Sequence, residues 1–178
     1  MRRWGSILFL VLLITVWLFP EWFGLSSARP TRSADGAAII VRDGDTLTIE
    51  SQDYRLHGID APEFIQVCKT AAGSDWPCGK QARAELVILI AGHRLTCEER
   101  AHDKFGRIVA TCRDETGRDI ARLMIERGLA VNFGGFAEGP YAVEETQAHV
   151  AKRGLWQGSF DPPSSWRATH PRPPIANR

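Results

Sequence analysis

A chain of 178 residues, 44% hydrophobic and 24% charged, suits one packed domain, and this composition excludes a wholly disordered protein. The formal net charge is +1, and residues 37–160 carry 15 Lys or Arg against 18 Asp or Glu. Nucleic-acid-binding proteins usually owe much of their affinity to a positive excess, so this balance excludes a broad basic binding surface. Any chemistry on phosphate would depend on a few arginines and a bound cation.

The chain begins with a basic and then strongly apolar segment. Two arginines precede an uncharged run, Trp4 to Phe19, which Pro20 ends. A basic start before about 16 apolar residues is typical of an export signal. The run is slightly short of the roughly 20 residues that span a bilayer, so a cleaved signal peptide and an uncleaved anchor both fit. We assign residues 1–36 to that signal peptide or membrane anchor plus a linker.

Export would place the rest of the chain outside the cytoplasm. The arginines stay on the cytoplasmic side, so the domain is expected to be secreted, periplasmic or anchored in the cytoplasmic membrane facing outward. The polar residues 29–35 predict the linker.

Three strands joined by two turns are predicted next. The Asp43-Gly44 pair is a hairpin signal between the first two strands, and residues 51–53 turn into the third, which Asp60-Ala61-Pro62 ends. The predicted strands span residues 37–42, 45–50 and 54–59. The sequence thus predicts a β-meander.

Helical spacing and glycine stops predict three helices in the remainder of the domain. They span residues 79–91, 119–127 and 141–153. From residue 161 the composition changes to Pro, Ser and Arg. We expect residues 161–178 to form an extended tail, with Trp166 as an aromatic anchor that can pack on the domain.

Four cysteines, with no Cys-x-x-Cys spacing, argue against a zinc site and for pairing in an oxidising compartment. A hairpin centred between Lys104 and Phe105 sets Cys97 opposite Cys112, close enough to be bridged. Cys68 and Cys78 would then close a short loop. Four buried thiols are the alternative. The hairpin supplies strands four and five.

Five short strands with interspersed helices predict an α+β, mainly β fold. We expect a five-stranded OB-type barrel with three helices over residues 37–160, a fold whose surface often binds oligonucleotides or polyanions.

Acidic residues cluster at two turns of the predicted meander. Asp43 and Asp45 flank a glycine, and Asp60 and Glu63 flank a proline just past the third strand. If the sheet curls, these segments converge, and close carboxylates repel one another unless a cation lies between them. Oxygen ligands without His or Cys favour calcium or magnesium. Taken singly, each aspartate is more often an ordinary turn residue.

Two arginines complete a set that could act on phosphate. Arg55 lies in the third strand and Arg107 follows the turn of the cysteine hairpin. A guanidinium can bind two phosphate oxygens at once, and phosphodiester hydrolysis needs charge neutralisation, an activated water and help for the leaving group. Each arginine alone is more simply a surface or salt-bridge residue, so only the combination is informative.

Three ordered blocks resemble the signature of the thermonuclease, or staphylococcal-nuclease-like, family. They are residues 41–46 (VRDGDT), 55–63 (RLHGIDAPE) and 103–107 (DKFGR). The resemblance continues through residues 127–130 (RGLA) and 153–156 (RGLW), so it covers roughly residues 37–160.

The resemblance implies an OB-type barrel, calcium dependence, and cleavage of DNA and RNA to 3′-phosphate products. It implies that calcium binds the carboxylates of Asp45 and Asp60 and the main-chain carbonyl of Ala61, where many relatives have Thr. It also implies roles for five further residues: Glu63 as general base, Arg55 and Arg107 as the catalytic phosphate-holding pair, Asp43 as acidic support for the metal ligands, and Thr46 in shaping the metal loop.

One segment departs from the best-known member of that family. Gly134 and Phe136 stand where that member has two tyrosines against the terminal base and phosphate. Phe136 could still stack on a base without offering a hydroxyl. Tyr141 could compensate by stacking, and a core role for Tyr141 is the equal alternative.

The leading hypothesis is an exported, calcium-dependent endonuclease that acts as a monomer on DNA and RNA. A noncatalytic nucleic-acid-binding OB module is the rival, and such a module can lose its acidic and arginine residues. An envelope interaction domain using the anchor and the tail is the third reading.

Overall fold

The computed structural model describes residues 29–133 and 139–171, and the chain divides into units Met1–Pro30 and Thr31–Arg178. The predicted signal or anchor segment therefore lies outside the described residues, apart from its linker. Within the described ranges, no helix is long and apolar enough to cross a membrane.

Short strands dominate the described part of the second unit, and four α-helices accompany them. The strands are β1 (Thr31–Asp35), β2 (Ile40–Val41), β3 (Thr46–Ile49), β4 (Gln52–Leu56), β5 (Ile59–Asp60), β6 (Cys68–Lys69), β7 (Asp75–Trp76), β8 (Arg94–His102), β9 (Ile108–Asp114) and β10 (Val131–Asn132). The helices are α1 (Cys78–Ile90), α2 (Ile120–Glu126), α3 (Ala142–Val150) and α4 (Pro163–Thr169), with 3₁₀ turns at Gly36–Ala38 and Gly154–Gln157.

Six strands form the main sheet in the order β1-β8-β9-β4-β3-β2. Its neighbours are antiparallel except β4 and β9, which run parallel. β5 pairs with β10, and β6 pairs with β7, each antiparallel. The main sheet curls, and the mixed α+β, mainly β architecture is of the OB type, so the predicted fold class is confirmed.

The β8–β9 hairpin confirms the predicted cysteine register. Cys97 lies opposite Cys112 and the two are bonded, as are Cys68 and Cys78. Past Glu99 a bulge moves the register by one residue, so that Ala101 faces Val109. Such a bulge bends the strand and increases its local twist, which helps the sheet to curl.

Three predicted segments differ in the structure. Residues 37–42 were expected as one strand, yet Gly36–Ala38 forms a 3₁₀ turn and the strand is only Ile40–Val41. Thr31–Asp35 was expected in a linker, yet it forms the edge strand β1 against β8, with Thr31 opposite Glu98. Its side chains are mostly exposed, so backbone hydrogen bonds rather than an apolar pattern hold it. The tail was expected to be extended, yet residues 163–169 form α4, which begins at a proline. Proline suits the first helical position because its missing N–H needs no partner there.

The main apolar core lies between the curled sheet and the helices, and a smaller cluster joins Leu155 to the Cys68–Cys78 disulfide. α1 packs on β2 and α2, and α2 packs on α3 and β9. The largest fully buried side chains include Leu47, Ile49, Leu56, Ile59, Leu86, Ile90, Leu95, Ile120, Met124, Ile125 and Leu155. β3, β4 and β5 are thereby fixed against α1, and the acidic loops extend from these strands.

The two Arg-Gly-Leu segments, residues 127–129 and 153–155, follow α2 and α3 and contact each other. Leu155 N donates to Gly128 O, and both Gly128 and Gly154 have positive φ. A Cβ on Gly128 would lie 2.2 Å from the carbonyl oxygen of Arg153, so only glycine allows this approach. These segments therefore join the helices, and their part in the family resemblance is structural.

Candidate active site

The loop before β3 lies directly against the segment after β5. Gly44 makes this possible, because a Cβ there would stand 2.7 Å from the Ala61 Cβ and 2.9 Å from the Ala82 Cβ. Ala61 N donates to Asp45 Oδ2 at 2.9 Å. The two acidic segments that the sequence predicted to converge are therefore in contact.

One guanidinium bridges the two central carboxylates. Arg55 Nη1 donates to Asp45 Oδ1 at 2.9 Å, and Arg55 Nη2 donates to Asp60 Oδ1 at 2.7 Å. Asp45 and Asp60 are only 2% and 3% exposed. Burial makes these contacts important, because an unpaired carboxylate removed from water is strongly destabilising.

Burial raises the pKa of Asp45 to about 7, and repulsion from Asp43 and Asp60 adds to the effect. The Arg55 charge and the Ala61 amide act in the opposite direction. Burial lowers the pKa of Arg55, but Asp45 and Asp60 outweigh it and leave that pKa above its ordinary value. Asp43, Asp45 and Asp60 thus form an acidic cluster, and burial is the main cause of the raised pKa at its centre.

Arg107 reaches the same end of the barrel through a side-chain relay. Its Nε donates to Asp103 Oδ2 at 2.7 Å, which fixes the guanidinium above the hairpin turn. Arg107 Nη1 donates to Thr46 Oγ1 at 3.5 Å, and that hydroxyl donates to Asp45 Oδ1 at 2.9 Å. Arg107 therefore connects through the Thr46 hydroxyl to the same Asp45 oxygen that Arg55 contacts directly.

Glu63 follows Asp60 on a loop held by buried Gln66. Glu63 N donates to Gln66 Oε1 at 3.3 Å, while Gln66 Nε2 donates to the Asp161 carbonyl at 2.8 Å. α1 packs on the same loop, since a Cβ on Gly79 would lie 1.8 Å from Glu63 O. Glu63 itself is half-buried. Its carboxylate is thus set beside Asp60 by main-chain contacts on both sides.

A third arginine, which the sequence did not predict, comes from α4. Arg167 Nη1 donates to Asp60 Oδ1 and Nη2 donates to Asp60 Oδ2, each at 2.9 Å. Nη1 also donates to Glu63 Oε1 at 3.3 Å. The hydrogen bond to Asp60 raises the pKa of Arg167. Residues 161–178 therefore do more than cover the domain, because they bring a charge into the acidic cluster.

Of the remaining predicted residues, Asp43 and Tyr141 lie in the described part of the chain. Asp43 Oδ1 accepts from Asp45 N at 3.2 Å, so Asp43 closes the acidic turn. Phe136 and Gly134 lie outside the described residues. Tyr141 is only 5% exposed within the core, and its hydroxyl donates to Asp119 Oδ2 at 3.2 Å. Because its ring is buried, Tyr141 is a core residue, which was the alternative to the suggested base-stacking role.

The carboxylates of Asp45 and Asp60 are the candidate ligands for a cation. Across the described ranges, no three Asp, Glu, His or Cys side chains are arranged as metal ligands. The two buried carboxylates nevertheless fit a hard cation in their chemistry, since both are oxygen donors and both lie within reach of the one guanidinium of Arg55. Guanidinium groups occupy oxygens of Asp45 and Asp60 in this arrangement.

The chain was then compared with known proteins. A family model described as staphylococcal nuclease homologue matches residues 53–158, which is more than half of the chain. The chain belongs to this family. The match includes Arg55, Asp60, Glu63 and Arg107, whereas Asp45 precedes it and Arg167 follows it. The staphylococcal nuclease resemblance predicted from the sequence is therefore confirmed.

Several curated relatives are similar to this staphylococcal nuclease homologue. The succinoglycan biosynthesis protein ExoI of Rhizobium meliloti (strain 1021) is 37% identical over 123 residues, 68% of this chain and 64% of the relative. An uncharacterized endonuclease of Escherichia coli is 30% identical over 146 residues, 78% of this chain and 89% of the relative. The probable staphylococcal-like nuclease CAN1 of Oryza sativa subsp. japonica is 28% identical over 153 residues, 79% of this chain and 43% of the relative.

Proposed function

We propose that this staphylococcal nuclease homologue is an exported, calcium-dependent nuclease that hydrolyses phosphodiester bonds of DNA and RNA to 3′-phosphate products. The observation that carries the proposal is a continuous polar network that starts at Arg107 and passes through Thr46, Asp45, Arg55, Asp60 and Arg167 to Glu63. Relatives named as nucleases support the same reaction class.

Asp45 and Asp60, with the main-chain carbonyl of Ala61, would hold the calcium ion. A bound calcium ion would supply positive charge to the nonbridging phosphate oxygens, which is the charge that the acidic cluster favours. Asp43 would keep the loop in shape by accepting the Asp45 amide hydrogen. Both carboxylates are buried, so water competes little for their oxygens.

The reaction itself would use the residues around that cation. Glu63 accepts a proton from the attacking water as its oxygen bonds to phosphorus. Arg55 and Arg107 hold the nonbridging oxygens, where negative charge accumulates. The bond from phosphorus to the 5′-oxygen breaks, Arg107 stabilises the departing oxygen, and that oxygen takes a proton from solvent water to become a 5′-hydroxyl, while Glu63 returns its proton to solvent. The phosphate stays on the 3′-oxygen.

Binding of calcium and substrate would change the partners of Arg55 and Arg167, which pair with carboxylates in this structure. Arg55 pairs with Asp45 and Asp60, and Arg167 pairs with Asp60 and Glu63. A calcium ion on the two aspartates would relieve their need for those guanidinium partners, which leaves Arg55 able to turn to phosphate. Glu63, relieved of Arg167, would then be able to take up a proton.

Export is supported by two features. The basic and apolar start of the sequence is typical of an export signal. Both cysteine pairs are bonded, and structural disulfides persist in oxidising compartments.

The test is digestion of end-labelled single-stranded DNA and RNA with calcium and with a chelator. The proposal predicts calcium-dependent cleavage with 3′-phosphate ends. Glu63→Gln should lower kcat about 100-fold or more because the proton acceptor is lost. Glu126→Gln, a carboxylate outside the network, is the matched control and should keep the wild-type rate.

Three results would count against the proposal. Cleavage that is unchanged by the chelator would remove calcium from it. Wild-type activity of Glu63→Gln would remove the assigned base. Binding of oligonucleotides without any cleavage would favour the noncatalytic OB module. Because one relative is named for succinoglycan biosynthesis, an acidic polysaccharide belongs among the substrates tested.

A further inference from the structure

A groove of about 570 Å³ opens directly beside Glu63, between the Glu63 loop and α4. We call it the α4 groove, and its lining includes Arg42, Glu63, Phe64, Ile65, Trp166 and His170. This volume is in the range of pockets that bind small organic molecules.

Apolar and aromatic surface faces this groove from both sides. On α4, the Trp166 and His170 rings are stacked, with centroids 4.2 Å apart and planes 5° apart. On the opposite loop, Phe64 is 39% exposed and Ile65 is 68% exposed. Arg83 lies over the Phe64 ring, at 5.3 Å from its centroid. Trp166 is half-buried, and flat aromatic rings in the wall of a groove are surfaces on which nucleic-acid bases stack.

The charges of the lining favour contact with bases over contact with phosphates. The charged lining residues are Arg42, Asp43 and Glu63, and Arg42 is also paired with Asp53. Two carboxylates against one guanidinium do not make a phosphate-binding surface. A polynucleotide whose scissile phosphate sits beside Asp45 and Asp60 would carry its neighbouring nucleotide past Glu63, which borders the groove.

We propose that the α4 groove is a base-binding subsite for a single-stranded nucleic acid, with Trp166 as its stacking platform. This inference rests on the proposed function, and it names the substrate class as an unpaired strand. A duplex would keep its bases stacked on each other, so a base can enter the groove only after unstacking.

Two contacts fix α4 so that the platform is in place. Arg167, the next residue after Trp166, is bidentate on Asp60. Buried Gln66 ties the chain just before α4 to the Glu63 loop through the Asp161 carbonyl. Trp166, which would stack on the base, and Glu63, which would accept the proton, are therefore held in place by one connected set of contacts.

The experiment is a double-mutant cycle, in which the Trp166 ring and one base of the substrate are removed separately and together. Wild type, Trp166→Ala and Trp166→Phe are each given a single-stranded oligodeoxynucleotide and versions with one abasic residue on either side of the cleaved bond. Kd is measured by fluorescence anisotropy in chelator, and KM and kcat are measured with calcium. Val150→Ala removes an exposed apolar side chain outside the groove and is the matched control.

Stacking predicts that Trp166→Ala raises Kd and KM about tenfold while kcat changes little. Trp166→Phe should recover most of that loss because it keeps a flat ring. An abasic residue on the groove side should raise the wild-type KM by a similar factor and should add nothing further to Trp166→Ala. Such non-additivity assigns both losses to one contact.

Independent effects of the two changes, or an unchanged Kd of Trp166→Ala, would overturn the subsite. If wild type cleaves with calcium but shows no such coupling, the subsite fails and the proposed hydrolysis stands. If wild type binds with the coupling but never cleaves, the subsite stands and the proposed hydrolysis fails. If wild type does not bind the oligonucleotide, both fail.

Discussion

Asp45 is the residue at which burial and charge are most in conflict. The pKa of Asp45 is raised to about 7 in the folded protein, whereas its ordinary value, expected in the unfolded chain, is 3.8. The stabilising contribution of that proton is present below pH 4 and is lost as the pH rises from about 4 to 7. At neutral pH, the cluster is thus a local source of instability that a bound cation can relieve.

We predict that, in chelator, Asp45 makes the free energy of unfolding fall by roughly 2 to 4 kcal/mol between pH 4 and pH 7. Urea unfolding across that range measures it. Asp45→Asn, which cannot ionise, should show a smaller fall over the same window. An identical pH dependence of the two proteins would mean that Asp45 has an ordinary pKa.

Arg167 is the second residue with a direct test. Its guanidinium holds both oxygens of Asp60, so a calcium ion must compete with it for that carboxylate. Arg167→Gln should lower the calcium Kd about fivefold, because a partly exposed charge pair is worth at most about 1 kcal/mol. Calorimetric calcium titration measures this. Arg122→Gln, from a surface pair with Glu144, is the control, and a weaker calcium affinity of Arg167→Gln would contradict the competition.

At the scale of elements, α1 and the Glu63 loop are packed too closely for a side chain at Gly79. The absent Cβ would lie 1.8 Å from the Glu63 carbonyl oxygen. Gly79→Ala must therefore move the loop or the helix. Overpacking of this kind typically costs about 1–3 kcal/mol.

Gly79→Ala should accordingly lower both the free energy of unfolding and kcat, since Glu63 would leave its place beside Asp60. Lys80→Ala changes the next, exposed residue of α1 and serves as the control for altering the helix. Urea unfolding and oligonucleotide digestion measure the two effects. A Gly79→Ala protein with wild-type stability and kcat would show that this contact does not position Glu63.

The elements also show how far the sequence leads. The meander, α1 to α3 and the Cys97–Cys112 register follow from local turn, periodicity and pairing signals, so they were predictable. β1 was missed because an exposed edge strand needs no apolar alternation. α4 was missed because its proline-rich setting suggested a tail, although Pro163 is a common first helical residue.

The site divides in the same way. Asp45, Asp60, Glu63, Arg55 and Arg107 could be found because each lies in a motif with its neighbours. No local pattern joins Arg167 to Asp60, since 107 residues separate them and only the tertiary fold brings them together. The burial of Tyr141 likewise follows from packing, which the sequence left open.

For the whole molecule, charge balance sets how nucleic acid is held. Residues 37–160 are slightly acidic, so affinity must come from a few arginines and from stacking rather than from a basic field. We predict a weak salt dependence for single-stranded DNA binding, with a slope of log K against log salt of about −2 for three phosphate contacts. Titrations from low to moderate salt in chelator measure it, and a steep slope of about −5 or more would indicate an extended phosphate-binding surface instead.

The central claim is that Asp45 and Asp60 together hold a hard cation beside the arginines. A crystal structure of the protein grown with calcium tests it most directly, by anomalous scattering. We expect one ion within about 2.3–2.6 Å of a carboxylate oxygen of each aspartate, with Arg167 moved off Asp60. Calcium bound elsewhere, or both aspartates still paired only with Arg55 and Arg167 at saturating calcium, would contradict the account.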